Sequence, residues 1–228
     1  MSALPPAASL PVAPPEATPP AGRVVAGRPA RDPWIATAGR RTFVADRRAS
    51  VLRVLEDGRE IRRLPTGLEP AAVVAAGQRR QVAVLSVRER VLDLYDARTL
   101  RRIGRANAGA GPARLASDGA TVLYVTDATG GAVLVFHTIP ELELVRRYRL
   151  AGGPWGIAHD AGRRRLWVTL AGANRLAELT DGIRIRRLGD RPALRQPSAV
   201  AVDERTGVVS VSGARQGEVQ LLDPRRSP

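Results

Sequence analysis

The chain has 228 residues, of which 44% are hydrophobic and only 4% aromatic, so a single domain or one closed repeat array would have a core of Val, Leu, Ile and Ala. The absence of cysteine excludes a disulfide framework, a cysteine-ligated zinc site and a thiol nucleophile. The formal net charge is +14 and all 36 basic residues are arginine, which indicates either a compositional bias or an anionic partner.

Residues 1–22 are rich in proline and alanine and carry one charged side chain, Glu16. Such a segment cannot bury enough apolar surface to offset the entropy of ordering it, so we predict a disordered or polyproline-like tether. It lacks the positive start and the unbroken apolar run of a signal peptide. Two interpretations stay open: the protein is cytoplasmic, or the sequence begins after a removed leader. No stretch of the chain is apolar enough to span a bilayer.

From residue 23 onward, the chain repeats one phrase that opens on a proline. The repeat prolines are Pro33, Pro70, Pro112, Pro154 and Pro197, at intervals of 37, 42, 42 and 43 residues. Each is followed by a short apolar run, a turn that contains Gly or Asp, and a second, stronger strand-like run. Self-similarity at roughly 40–45 residues is typical of the four-stranded blade of a propeller.

Each repeat unit resolves into four predicted strands. The first strands cover residues 34–36, 72–74, 114–116, 156–158 and 199–201. The second strands cover 42–45, 82–85, 122–125, 166–169 and 208–211, and they are apolar on both faces, as expected of sheets packed between two neighbours. The third strands cover 51–54, 91–94, 133–136, 176–179 and 219–222.

The fourth strands are predicted at 61–64, 100–103, 145–148 and 183–188, and each contains paired arginines. Arginine stems can lie on apolar surface while the guanidinium stays in water, and charge on an exposed edge deters pairing with another sheet. We therefore place these strands at the perimeter of the fold.

The last repeat unit ends without a fourth strand of its own. The segment 22–27 resembles a strand and precedes the first repeat proline, so we predict that it completes the last unit. The sequence thus predicts an all-β fold over residues 23–228: a single-domain β-propeller of five blades with four antiparallel strands each, closed by the N-terminal strand. An assembly of more blades from two chains is the alternative.

Two groups of residues carry a family resemblance. Residues Leu123–Asp127 (LYVTD) resemble the core of the YVTN repeat, and Gly153–Ala158 (GPWGIA) with Leu166–Thr169 (LWVT) resemble NHL and streptogramin-lyase-type repeats. The similarity covers residues 23–224 at the level of the repeat. It implies a propeller, a fold that hosts lactonases, lyases and binding modules alike, and an extracytoplasmic location.

In such propellers, the loops that precede the innermost strands and the turns between second and third strands share one face around the central channel. We call this face, the usual ligand site of the family, the loop face. We expect Trp34 and Trp155 at the channel mouth, where they would either stack on a sugar or pack between blades. The other candidate ligand-binding residues on these loops and turns are Asp46, Glu69, Arg88, Asp127, Arg195 and Arg215.

The sequence predicts no catalytic residue. A metal-dependent site needs several converging oxygen ligands, whereas Asp46 and Asp127 occupy equivalent positions at which a carboxylate also caps a turn, so we predict no metal ligands. Of the two histidines, we expect His137 at the outer rim and His159 at the end of a first strand, on the face opposite the loop face. Neither is predicted to be a general base, and no cofactor is indicated.

We therefore predict a non-catalytic binding or interaction module whose loop face binds an unknown protein, sugar or small molecule. The alternative is a divergent metal-dependent lactonase, hydrolase or lyase that uses the loop-face acids, and the sequence leaves open whether the protein is an enzyme. A third hypothesis is that the arginine-rich rim binds a polyanion, an interaction that would weaken steeply with salt.

Overall fold

The strands in the described part of the chain form five antiparallel sheets of four strands each. A computed structural model describes residues 23–26, 34–213 and 218–223, the first of these ranges by its backbone alone, so the predicted tether at 1–22 lies outside the described residues. The N-terminal strand is β1 (Arg23–Ala26). Sheet 1 consists of β2 (Ile35–Ala38), β3 (Arg41–Asp46), β4 (Val51–Glu56) and β5 (Arg59–Pro65).

The next three sheets follow in chain order, each an uninterrupted run of four strands. Sheet 2 consists of β6 (Pro70–Ala76), β7 (Gln81–Ser86), β8 (Val91–Asp96) and β9 (Arg102–Asn107), with a 3₁₀ turn at Gly77–Arg79. Sheet 3 consists of β10 (Pro112–Ser117), β11 (Val122–Asp127), β12 (Ala132–His137) and β13 (Glu143–Arg149). Sheet 4 consists of β14 (Pro154–Asp160), β15 (Arg165–Leu170), β16 (Arg175–Thr180) and β17 (Arg187–Pro192).

Sheet 5 combines the two ends of the chain. It consists of β18 (Ala199–Val202), β19 (Val209–Ser212), β20 (Glu218–Leu222) and β1. Strand β1 pairs antiparallel with β20, with Val25 opposite Val219 and Arg23 opposite Leu221. The strand that the sequence predicts to complete the last unit therefore does pair with it.

Apolar cores form where the faces of successive sheets meet. Phe43 and Val54 of sheet 1 pack with Val84 of sheet 2, and equivalent cores join sheets 2 and 3, 3 and 4, and 4 and 5. The second strands of sheets 2, 3 and 4 are buried on both faces, because each of these sheets has a neighbour on either side. Within the described ranges, no core cluster joins sheet 5 to sheet 1, and Ile35 on β2 is 45% exposed.

The order of strands within each sheet determines which strands are innermost and which lie at the perimeter. The inner strands β2, β6, β10, β14 and β18 lie side by side in that order. The fourth strands β5, β9 and β13 are largely exposed, as the paired arginines predict. A register shift interrupts the pairing of third and fourth strands in sheets 1 to 4, a β-bulge that bends the perimeter strand away from a flat edge.

Two of the predicted fourth strands are displaced along the chain. Strand β9 begins at Arg102 instead of residue 100, and β17 begins at Arg187 instead of residue 183. In both cases an apolar residue of the predicted strand packs inward before the strand begins: Leu100 lies against the core between sheets 1 and 2, and Ile185 is buried between sheets 3 and 4. The backbone amide of Arg186 donates to Thr180 Oγ1 at 2.8 Å, which holds this wider turn.

Within these described ranges, no helix has the length and apolar character needed to cross a membrane.

Candidate functional site

The loop face carries a cluster of four side chains from sheets 1 and 2, which we call the loop-face cluster: Trp34, Arg47, Glu69 and Arg88. Arg47 Nη2 donates to Glu69 Oε2 at 2.9 Å, and Arg88 Nη1 lies 4.0 Å from Glu69 Oε1. The Arg47 guanidinium carbon lies 6.0 Å from the centre of the Trp34 ring, within cation–π range. One carboxylate thus bridges two exposed arginines, one of which is stacked near an indole.

Local backbone contacts position this cluster. The amide of Ala45 donates to the carbonyl of Trp34 at 2.8 Å, which holds the tryptophan beside the turn that carries Arg47. The amide of Val87 donates to the carbonyl of Glu69 at 3.1 Å, which brings Arg88 beside Glu69. Glu69 precedes Pro70 and has a φ of 55°, in the left-handed region that non-glycine residues seldom occupy. Gly153 and Gln196, at the same place before Pro154 and Pro197, have φ of 70° and 47°, whereas Gly111 before Pro112 does not have a positive φ.

A third arginine, Arg114, lies two residues after the start of the inner strand β10 and is half-buried. Its Nη1 donates to the carbonyl of Ala113 at 2.9 Å, and among the described residues no carboxylate lies within ion-pair distance of it. Burial lowers the pKa of Arg114, and the positive charge of Arg47 lowers it further. The guanidinium of Arg114 is therefore partly withdrawn from water and is repelled by the positive charge of Arg47.

The carboxylate of Asp127 is hydrogen-bonded to backbone amides of the protein itself. Its side chain is fully buried and accepts hydrogen bonds from the amides of Ala110, Gly111 and Gly130 at 2.8–3.1 Å, with Arg147 Nη1 at 3.4 Å. Burial raises the pKa of Asp127, but the amide hydrogen bonds and Arg147 outweigh that effect, and the pKa lies below its ordinary value. These contacts tie the loop before β10 to the turn after β11.

Similar buried acceptors hold other loops of this face. Asp93 on β8 is fully buried, binds Arg105 through both oxygens at 2.7 and 2.9 Å, and accepts from the amide of Gly67 at 3.3 Å. In sheet 5, Gln220 Oε1 accepts from the amide of Leu194 at 3.0 Å. Asp46 accepts from the amides of Arg48 and Ala49 and so caps its own turn.

Trp155 and Arg195, two further predicted residues, are not members of the loop-face cluster. Trp155 on β14 is 39% exposed, and its carbonyl accepts a hydrogen bond from Thr126 Oγ1 at 2.6 Å. Arg195 borders a cavity of about 160 Å³ that is also lined by Leu194, Gly213 and Glu218. Arg215 lies outside the described residues.

The structure therefore brings together Trp34, Glu69 and Arg88 of the predicted residues and adds Arg47 to them, while Arg114 lies at the same end of the fold. The sequence held a signal for Arg114. At its position in the repeat, the other units have Ile35, Ala72, Gly156 and Ala199, so a long cation breaks a pattern of uncharged residues. Arg47 carried no such signal, because its turn is rich in arginine.

A second polar cluster lies between sheets 3 and 4. His159 Nε2 is 3.2 Å from Asp181 Oδ2, and the imidazole stacks on Tyr124 with ring centres 6.3 Å apart. The hydroxyl of Tyr124 accepts from the amide of Gly182 at 2.7 Å, and burial raises the pKa of Tyr124. These contacts fasten the turn after β16 to sheet 3. In the described part of the chain, no three acidic or histidine side chains converge as a metal site requires.

No family model matches the chain, and no curated protein matches its sequence. Among solved structures, it is similar to a functionally unknown protein from Desulfotomaculum acetoxidans DSM 771, with a TM-score of 0.69 and 12% identity, over 78% of this chain and 61% of that one. It is similar to streptogramin B lyase, with a TM-score of 0.65 and 16% identity, over 82% and 64%. It is also similar to the dihydro-heme d1 dehydrogenase NirN, with a TM-score of 0.67 and 20% identity, over 88% and 46%.

Together with the five four-stranded sheets, these similarities show that the chain has a β-propeller fold. At such low identities they show the fold alone. The chain spans less than two thirds of the length of each of these three proteins.

Proposed function

We propose that this chain is a non-catalytic binding module of the YVTN/NHL-like repeat type, a single closed propeller over residues 23–228 whose loop face binds its ligand. The pairing of β1 with β20 supports closure of the ring. Only residues 27–34 separate β1 from β2, and eight residues span at most about 28 Å, a short connection that supports placing sheet 5 beside sheet 1.

The state of three loop-face acids, Asp46, Glu69 and Asp127, carries the proposal. A hydrolase or lyase needs a carboxylate or histidine that is free to move a proton, or several carboxylates that converge on a metal. Asp127 is occupied by three amides, Asp46 caps its own turn, and Glu69 bridges two arginines. What this face offers a ligand is instead the exposed guanidinium groups of Arg47 and Arg88, beside the indole of Trp34, which is partly buried against the core between sheets 1 and 2.

Two assays on the purified chain test the proposal. In the first, a panel of lactones and esters is incubated with the protein in the presence of Mg²⁺, in the presence of Ca²⁺, and with neither. We expect no turnover above a heat-treated sample. Turnover that is lost in Glu69→Gln, with folding intact, would instead establish the alternative hydrolase or lyase.

The second assay maps binding by hydrogen exchange with neutral sugars, small anions and small cations as separate probes. We expect at least one class to protect the amides of the loops at 66–69, 86–90 and 108–111, and to leave the perimeter strands β5 and β13 unchanged. Protection confined to the perimeter, or no protection by any class, would refute the loop face as the binding surface.

A further inference from the structure

The place of Arg114 in the fold is unusual for a charged side chain. The inner strands of the other sheets carry uncharged residues at the equivalent position, and Gly156 there lies so close to sheet 5 that a Cβ would approach the carbonyl oxygen of Ser198 to 3.1 Å. Arg114 instead places a half-buried guanidinium at the loop-face end of β10, near the axis that the inner strands share.

The charge around this guanidinium is unbalanced. Four other arginines of this face have a carboxylate partner: Arg105 has Asp93, Arg147 has Asp127, and Arg47 and Arg88 share Glu69. Arg114 has the carbonyl of Ala113 and, nearby, the cation of Arg47. A buried charge is costly when it is unpaired, and an added anion would remove that cost.

Arg47 and Arg114 lie at the same end of the fold, on sheets that are separated by a single sheet. Arg47 lies on the turn after β3 of sheet 1, and Arg114 lies near the start of β10 of sheet 3, with the inner strand β6 of sheet 2 between them. Because outer-to-inner loops and second-to-third turns lie at the same end of antiparallel sheets, both side chains belong to the loop face. Trp34 stacks near Arg47 and limits the orientations of its guanidinium.

We propose that Arg114 and Arg47 form an anion site at the loop-face end of the inner strands, and that the ligand of this protein carries a carboxylate or a phosphate there. Planar guanidinium groups match these two anions because both accept paired, charge-assisted hydrogen bonds. Glu69 neutralises part of the charge of Arg47 and Arg88, which leaves Arg114 as the principal cation for the ligand. This inference rests on the proposed function, since it names the chemistry of the ligand that the loop face binds.

Thermal unfolding of the full chain with defined probes tests the inference. The probes are inorganic phosphate, glycerol phosphate and succinate, each compared with chloride at matched ionic strength. At tenfold above its Kd, a bound anion should raise Tm by about 3–6 °C over chloride. A response to phosphate and glycerol phosphate alone assigns a phosphate ligand, and a response to succinate alone assigns a carboxylate. No response beyond chloride to any probe would overturn the inference.

Variants locate the site. Arg114→Gln should abolish the anion response, whereas Arg146→Gln, an exposed arginine on β13 of the same sheet, should keep it. Arg114→Lys keeps the positive charge but lacks the planar guanidinium, so anions should raise its Tm less than that of the wild type. This variant replaces Arg114→Gln in the test if the glutamine variant does not fold. Arg47→Gln should weaken the anion affinity by about tenfold or more. A normal response in the Arg114 variants, or an unchanged affinity in Arg47→Gln, would refute the two-arginine site.

The hydrogen-exchange map separates this inference from the proposed function. If neutral sugars protect the loop face and anions do not, the anion assignment fails while the binding module stands. If no probe protects the loop face, both fail.

Discussion

Single buried carboxylates hold the loops of the loop face together by accepting hydrogen bonds from their backbone amides. Asp127 alone accepts from three backbone amides on two loops and contacts Arg147. Each amide would otherwise be an unpaired donor at the edge of the core, where an unmade hydrogen bond costs about 1–3 kcal/mol. The glycines of these loops follow from the same contacts, because a Cβ at Gly130 would lie 2.0 Å from Asp127 Oδ2.

Asp127→Asn should therefore lower the free energy of unfolding by about 2–4 kcal/mol at pH 7, because the amide side chain loses the charge and turns one acceptor into a donor. Chemical denaturation measures the change. Glu143→Gln, an exposed acid on β13, is the matched control and should change little. Equal stability of Asp127→Asn and the wild type would contradict the role we assign to this carboxylate.

Asp127 should also make the free energy of unfolding depend on pH. The pKa of Asp127 is lower in the folded protein than in the unfolded chain, so its contribution to stability is complete above the unfolded value of about 4. That contribution is lost as the pH falls through the lower, folded-state pKa. The wild type should thus lose more stability than Asp127→Asn between neutral pH and pH values below about 4. If the free energies of unfolding of the two proteins change in parallel with pH, the carboxylate of Asp127 does not contribute this stability.

Tyr124 connects two sheets through its hydroxyl. Tyr124→Phe leaves the amide of Gly182 without its acceptor and should lower the free energy of unfolding by about 1 kcal/mol. Tyr148→Phe, on the half-buried Tyr148 of β13, is the control and should stay near the wild type. If the two variants are equally stable, the hydroxyl of Tyr124 does not support the turn after β16.

At the scale of elements, the repeat predicts strands well where packing is periodic. Strands one to three of the three middle units follow from apolar runs that are buried against two neighbouring sheets. The fourth strands are harder to place, since their arginines suit an exposed strand or a turn equally well. Only contacts across the sheet interface, such as those of Leu100 and Ile185, decide where β9 and β17 begin.

The candidate site was predictable to a lesser degree. Residues on repeat loops could be assigned to one face, which brought Trp34, Glu69 and Arg88 into consideration. Their partner Arg47 is one of many turn arginines, and the burial of Asp127 depends on two loops that are brought together only by folding. The site therefore depends on side-chain contacts that no repeat position specifies.

The pairing of β1 with β20 can be tested directly because the chain has no cysteine. The double variant Val25→Cys with Val219→Cys places two thiols at directly opposed positions, where Cα atoms are about 4.5–5.5 Å apart. We expect a disulfide to form on mild oxidation and to raise the Tm, because it closes nearly the whole chain into a loop.

The control moves one partner by two residues. Val25→Cys with Leu221→Cys is out of register, because Leu221 lies opposite Arg23, and it should cross-link poorly and give no stabilisation. Efficient cross-linking of the shifted pair in place of the aligned pair would show a different register in solution.

For the whole molecule, charge is the dominant feature. A net charge of +14 on a chain of this size produces self-repulsion that the ion pairs of the perimeter offset only in part, since exposed pairs contribute little. Glu60, for example, contacts both Arg53 and Arg63 on the exposed face of sheet 1. Many other perimeter arginines have no such partner among the described residues.

Salt should accordingly stabilise the fold. Between about 10 mM and 100 mM NaCl the Debye length falls from about 30 Å to about 10 Å, which screens repulsion across the molecule. We expect Tm to rise over this range, and choline chloride should have the same effect if screening is the cause. A falling Tm would mean that attractive pairs outweigh the repulsion.

The pairing of β1 with β20 also has a consequence for biosynthesis. Residues 23–26 leave the ribosome before the strands of the other sheets, yet their partner strand is made only after those sheets have emerged. Sheets 1 to 4 can form one after another from neighbouring strands, while the earliest strand must wait unpaired for residues 218–222. Completion of sheet 5 is thus the least local step of folding, and we expect it to be the slowest.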